Sequence, residues 1–179
     1  MSTQIKINYK EYPEFMFAMI SAYLPNEEAS IVSKLAGRVI FRHEDKYGDT
    51  FKNGLRHSYD DKPAVERYYD NHRSWYCDGE LHRDNDLPAI VCNDYKEWRI
   101  HGMIHRDNDL PAIVFPEAQF WYKDNMRHRG DDKPAIINKN YQAWFINGNR
   151  HREGDMPAVI DLIHQAWYID GNLVKEVYF

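Results

Sequence analysis

Apolar and polar positions divide the chain into two stretches with different periods. In residues 1–37, Phe15, Met16, Met19, Ile20, Tyr23 and Leu24 recur at helical spacing and make an apolar stripe. Pro13 suits the first turn of that helix and Pro25 ends it. Asn26 can cap a second helix, with Glu27 and Glu28 in its first turn. Ile31, Val32 and Leu35 form its apolar side, and Gly37 is its stop. The pattern therefore predicts two short helices, too small to fold alone, that must pack on something else. From residue 38 onward, short β-rich runs alternate with turn signals. Trp167-Tyr168-Ile169 leads into Asp170-Gly171, and Asn147-Gly148 and Asp78-Gly79 are turns of the same kind.

These runs repeat. Trp75, Trp98, Trp121, Trp144 and Trp167 are 23 residues apart, as are His82, His105, His128 and His151. Pro88, Pro111, Pro134 and Pro157 keep the same interval, each followed by alanine. Gly79, Gly102, Gly148 and Gly171 hold one phase, with Asn125 in the remaining slot, where an asparagine tolerates positive φ. Several residue types sharing one period exclude coincidence. A diverged earlier unit has Phe51, Gly54, His57, Pro63 and Ala64, with Thr50 in its Trp slot. The interval from Ala64 to Trp75 is two residues longer than later ones, which predicts a longer loop within 66–74. The last unit holds Val174 in its His slot and is read as a truncated cap.

The expected fold class is therefore mainly β. An elongated antiparallel β-hairpin array (38–179, units starting near 50, 75, 98, 121, 144 and 167) follows two N-terminal helices (1–37). Two strands per unit at the usual spacing give about 10 Å of rise per repeat, so five repeats span roughly 50 Å. Strand alternation predicts Trp144 and Ile146 on one face and Phe145 on the other, with tryptophans stacked unit upon unit as a core. The segments 67–74, 93–97, 115–119 and 138–143 read as variable loops in which partner choice would lie.

Composition adjusts this picture only in places. A charged fraction of 28% with 43% hydrophobic residues describes a folding chain. The aromatic content of 15% suits a thin architecture without a deep core. Net charge is −5, of which 1–37 carries −1, from Lys6, Lys10 and Lys34 against Glu11, Glu14, Glu27 and Glu28. Neither part has the basic excess of a nucleic-acid binder. Cys77 and Cys92 imply no disulfide framework. No apolar run reaches transmembrane length, and the first residues are not a secretory signal. An intracellular, cytoplasmic protein is expected.

The unit resembles the MORN repeat family. The match lies in Tyr76-Cys77-Asp78-Gly79-Glu80-Leu81-His82 and Phe145-Ile146-Asn147-Gly148-Asn149-Arg150-His151: an aromatic strand, an Asn-Gly or Asp-Gly turn, and His three residues after the glycine. The chain departs from that family at Arg83, Arg106, Arg129 and Arg152, where the family usually has glycine, and in its Pro-Ala block. Such His-Arg and Pro-Ala versions look like those of large DNA viruses and some bacteria, which would place the protein in a host cytoplasm. The resemblance covers roughly 39–179 and implies scaffolding and, in some members, lipid contact.

The N-terminal stretch resembles a degenerate F-box. Tyr12-Pro13, Ile20 and Leu24-Pro25 reproduce that family's spacing, and Ser33-Lys34 matches its later Ser-Lys. Tyr12 replaces the usual leucine, and the second half is about two residues short. The resemblance implies docking to a Skp-type adaptor of a ubiquitin ligase through Tyr12, Pro13, Ile20, Leu24 and Pro25, with the repeats presenting a target. The residues alone also fit a helical cap over the first hairpin's edge.

Candidate chemistry is sparse. One histidine per repeat places imidazoles about 10 Å apart, too far for one zinc ion, so a ring bonded to the following turn is expected. Asp84-Asn85-Asp86 and Asp107-Asn108-Asp109 resemble calcium-loop fragments, but no distal acid or required glycine is in register. Asx turns and pairing with Arg83 or Arg106 fit them better. The tryptophans could stack bases or glycans, although a buried core role fits better. No nucleophile elbow, phosphate loop or HExxH occurs, and every conspicuous residue is repeated, so neither catalysis nor a cofactor is expected. Three readings follow: an F-box-like adaptor; a structural scaffold, dimeric through 174–179; or a metal- or small-ligand-binding repeat protein.

Overall fold

The computed structural model describes residues 42–44 and 47–179; the expected helices of 1–37, with Tyr12, Pro13, Ile20, Leu24 and Pro25, lie outside the described residues. No helix occurs among the described residues, so none is long and apolar enough to cross a membrane. Three antiparallel strands open the fold: β1 (Arg42–Glu44), β2 (Thr50–Lys52) and β3 (Leu55–Arg56).

Two kinds of hairpin then alternate along the chain. The first pair is β4 (Val65–Arg67) with β5 (His72–Ser74), then β6 (Tyr76–Cys77) with β7 (Glu80–Leu81). The next unit supplies β8 (Ile90–Cys92) with β9 (Tyr95–Glu97), then β10 (Arg99–Ile100) with β11 (Met103–Ile104). After it come β12 (Ile113–Phe115) with β13 (Ala118–Phe120), and β14 (Tyr122–Lys123) with β15 (Met126–Arg127). The fourth set is β16 (Ile136–Asn138) with β17 (Tyr141–Ala143), and β18 (Phe145–Ile146) with β19 (Asn149–Arg150). The chain closes on β20 (Val159–Asp161), β21 (His164–Ile169) and β22 (Asn172–Tyr178).

The first hairpin of each set joins one eleven-stranded antiparallel sheet, running β22-β21-β20-β17-β16-β13-β12-β9-β8-β5-β4. The second is a separate two-stranded ribbon. This corrects the sequence reading in one respect. Three of the segments read as variable loops each contain most or all of a strand of the long sheet (β9, β13, β17), and 67–74 contains β5. The two-residue insertion near 66–74 lengthens the β4–β5 turn and leaves Tyr68 and Tyr69 outermost, 86% and 85% exposed. The hairpins predicted around Asp78-Gly79 and Asn147-Gly148 are ribbons, and the one around Asp170-Gly171 is β21–β22 of the long sheet. In Asp78-Gly79 both residues have positive φ, 48° and 91°, and a side chain on Gly79 would also press against Leu55.

Between long sheet and ribbon the chain turns a corner at tryptophan. Trp75, Trp98, Trp121 and Trp144 lie outside the strands, and their N–H groups donate to Ala89, Ala112, Ala135 and Ala158, each at 2.8 Å. The corner breaks the strand alternation, so Trp144 and Phe145 are both buried while Ile146 is exposed. Those alanines, and Ala64, are completely buried, which leaves no space for a larger side chain. Trp121, Ala135, Ile136, Ala143, Phe145, Val159 and Ala166 form the main apolar cluster.

Backbone hydrogen bonds join successive ribbons. Gly79, Gly102, Asn125, Gly148 and Gly171 donate to Arg56, Leu81, Ile104, Arg127 and Arg150 at 2.8–3.0 Å. The last unit differs. β21 runs straight through Trp167 and pairs with β22 along its length, with a bulge at Trp167/Tyr168.

Candidate functional site

The periodic residues meet in a cassette shared between neighbouring units. Polar turns place two successive residues in the left-handed region, for example Asn108 (φ 60°) and Asp109 (φ 55°), which explains why Asn, Asp or Gly stands there. The turned carbonyl of Asp109 accepts the indole N–H of Trp121 at 2.9 Å. Its carboxylate takes Arg129 Nε and Nη2 at 2.7 and 3.1 Å, and Arg129 lies 3.7 Å above the Trp121 ring. Arg129 Nη1 donates to the carbonyl of Pro134. The same set recurs as Asp61/Trp75/Arg83, Asp86/Trp98/Arg106 and Asp132/Trp144/Arg152. The expected stacking of tryptophan on tryptophan is thus replaced by arginine on tryptophan, because each unit brings its own guanidinium over its own ring.

These carboxylates titrate low. Asp109 is held at about 2, first by Arg129 and, against the opposing effect of partial burial, by Lys133 as well. Asp61, Asp86 and Asp132 are lowered by Arg83, Arg106 and Arg152. A carboxylate with a folded value below its ordinary 3.8 contributes stability that is complete above the unfolded value and is lost as pH falls through the folded one. Thermal melts followed by circular dichroism should therefore show stability falling from about pH 4 toward pH 2. Asp109→Asn should start lower and lose less over that window.

The histidines form a second column. Nδ1 of His57, His82, His105, His128 and His151 accepts the turn N–H of Asp78, His101, Asp124, Asn147 and Asp170 at 3.0–3.3 Å. On the other ring edge, Nε2 of His82 and His105 lies 3.1 Å from Asp84 and Asp107. Each ring therefore bridges two units, and those of His82 and His105 also brace their own polar turns.

One cluster brings potential metal ligands together: His57, Cys77 and Asp78 place ligating atoms within 4.8 Å of one another. They suit a metal poorly. His57 Nδ1 already accepts the Asp78 N–H, Lys52 Nζ sits 2.7 Å from the Asp78 carboxylate, and burial pushes the Cys77 thiol up. Cys92 Sγ lies 3.2 Å from His72 Nδ1, but burial raises that thiol too, which disfavours the thiolate a nucleophile needs. The Asp86 and Asp109 carboxylates, candidates for calcium by sequence, are held by arginines.

One surface that these contacts leave to a partner is a face of the long sheet. Directly opposed residues share a face, and one row crosses all eleven strands: Glu66, Arg73, Val91, Lys96, Val114, Gln119, Ile137, Gln142, Ile160, Gln165 and Val177. From Arg73 onward polar residues alternate with half-buried β-branched ones, and Glu66, Arg73, Lys96, Gln119 and Gln142 are exposed. The sequence reading missed this row because Arg73, Lys96, Gln119 and Gln142 fall in segments taken for loops. The 23-residue spacing of Gln119, Gln142 and Gln165 was the available signal.

Compared with family models, curated proteins and solved structures, the chain matches none.

Proposed function

We propose that the protein is a non-enzymatic interaction module whose array holds a protein partner on the open face of the long sheet. One observation carries this reading. The conspicuous repeated side chains bind one another, and the long sheet presents a row in which polar and β-branched residues alternate from Arg73 to Val177, across ten of its eleven strands. Such a row suits a broad protein surface rather than a small molecule. In this reading residues 12–35 act as an F-box-like segment that docks a Skp-type adaptor, on the spacing of Tyr12-Pro13, Ile20 and Leu24-Pro25. The test is a pull-down of the full chain with a recombinant Skp-type adaptor, using Ile20→Asp/Leu24→Asp as control. Binding by the unsubstituted protein alone is expected. No binding by a folded protein would sink the adaptor role and leave a scaffold.

A second reading, a homodimeric scaffold, is favoured by the C-terminal edge. β22 is the outermost strand of the long sheet, and Leu173, Val174, Tyr178 and Phe179 are exposed on or beside it. A seven-residue edge strand with exposed Leu173, Val174 and Tyr178 invites pairing with another strand. Sedimentation should then give a dimer that Val174→Lys/Tyr178→Lys converts to monomer. A monomer at every accessible concentration would reject it.

A further inference from the structure

The four complete cassettes define what the fifth lacks. Asp155 has the same left-handed backbone as its counterparts, φ 53°, and its carbonyl accepts the Trp167 indole N–H at 3.0 Å. The acid and the ring are therefore in place. The arginine is not: the slot 23 residues after Arg152 holds Lys175. Lys175 lies opposite Trp167 on the straight strand β22, rather than arriving from a polar turn, and its Nζ sits 4.4 Å above the ring. Among the described residues the exposed Asp155 carboxylate has no cationic partner.

A cleft of about 250 Å³ opens at this point, walled by Asp155, Met156, Trp167, Tyr168, Val174 and Arg152 among others, with the Arg152 guanidinium held by Asp132. The comparable cleft between inner units is walled on one side by Arg129, Gly130 and Asp131, the segment that delivers the guanidinium. At the end of the array that wall is missing, because the chain continues as β22.

We propose that Asp155 and Trp167 form an open guanidinium-binding site, and that its occupant is an arginine in an extended segment of a partner protein. The carboxylate matches the planar fork of arginine in two parallel hydrogen bonds, and the indole face takes the cation. A lysine ammonium can satisfy only one of these at a time, as Lys175 does here. The site belongs to the last repeat alone and stands whether or not the N-terminal segment docks an adaptor.

The test is titration of the full chain, followed through the five indole N–H signals by NMR, with three probes at constant ionic strength. These are Nα-acetyl-arginine amide, Nα-acetyl-lysine amide, and a blocked Ala-His-Arg-Asp-Ala peptide that copies the arginine-bearing segment of the inner units. The arginine compound should shift the Trp167 signal saturably, with Kd on the order of 1 mM for so small a ligand. The lysine compound should bind at least about fivefold more weakly, and the peptide at least as well as the amino acid. Asp155→Asn should weaken binding about tenfold or more while the four inner indoles stay in place as a control for folding. Lys175→Arg should complete the cassette from within, abolishing binding and raising Tm, a gain that a bystander lysine would not give. The site is rejected if Asp155→Asn binds as the parent does, if lysine binds as well as arginine, or if Lys175→Arg leaves binding unchanged. Binding of the amino acid without the peptide would overturn the assignment to a protein partner.

Discussion

Arg99→Met should destabilise the protein by about 2–4 kcal/mol, below the full cost of breaking a buried ion pair because Arg99 keeps some solvent contact. The reason lies in one slot of the repeat. The residue before each repeated tryptophan is Ser74, Phe120, Ala143 or Ala166 in four units, and the residue after it is Tyr76, Tyr122, Phe145 or Tyr168. In the remaining unit these places hold Glu97 and Arg99. Glu97 is only 4% exposed, and Arg99 Nε donates to its carboxylate while Nη1 donates to the Gly102 carbonyl. Methionine would leave a buried carboxylate without its cation. The pair Glu97→Ala/Arg99→Tyr restores the neighbours' pattern and should recover most or all of the loss, since a buried ion pair replaced by packed apolar groups is often neutral or better. Thermal melts of the two variants decide it. A double variant as unstable as the single one would show that the slot needs the charges themselves.

Trp121→Ala is the second large effect, about 3–5 kcal/mol. Trp121 is buried in the main cluster, supports the Arg129 guanidinium on its face, and holds the Asp109 carbonyl through its N–H. Removing it leaves a cavity, cuts the bond to Asp109 of the preceding unit and takes away the support of the guanidinium that holds that same carboxylate, at the middle of the array. Because stability in a repeat protein is a sum over neighbouring units, the loss should appear as a second transition in a denaturant titration, with the halves on either side unfolding separately. Trp167→Ala, at the half-exposed end, should cost about a third as much and leave one transition. A single, merely shifted transition for Trp121→Ala would mean that the halves are coupled through the long sheet alone.

The period, the unit boundaries and the Asp-Gly turns were legible because they are written in invariant residues at fixed intervals. The bond from the histidine ring to the following turn was legible for the same reason, and it is present at His82 and His105, whereas the bond of each Nδ1 to the next unit's turn was not. The long sheet was not. Its strands are three residues long for the most part, too short for alternation to stand out, and their turns differ from unit to unit: Asn93-Asp94, Pro116-Glu117, Lys139-Asn140. Strand identity there comes from pairing with the neighbouring unit, which lies outside any local window. The arginine cassette was hidden likewise. Arg106 and Asp86 are 20 residues apart and meet only when two units are stacked, so the sequence points to Arg-Asp pairing without saying that it crosses a unit boundary. The F-box-like residues Tyr12, Pro13, Ile20, Leu24 and Pro25 lie outside the described residues and rest on their spacing alone.

The cassette has a direction. In every complete copy the acid belongs to the earlier unit and the arginine to the later one, about 20 residues downstream. During synthesis the acceptor therefore always leaves the ribosome before its donor. Each new unit finds a carboxylate, a carbonyl and a turn already waiting, and closing the contact requires only a short loop to form. An array wired in the opposite sense would hold unpaired guanidinium groups on display until the next unit emerged. Here the group left waiting is a hydrated carboxylate, and the array can lengthen one unit at a time in the order in which it is made.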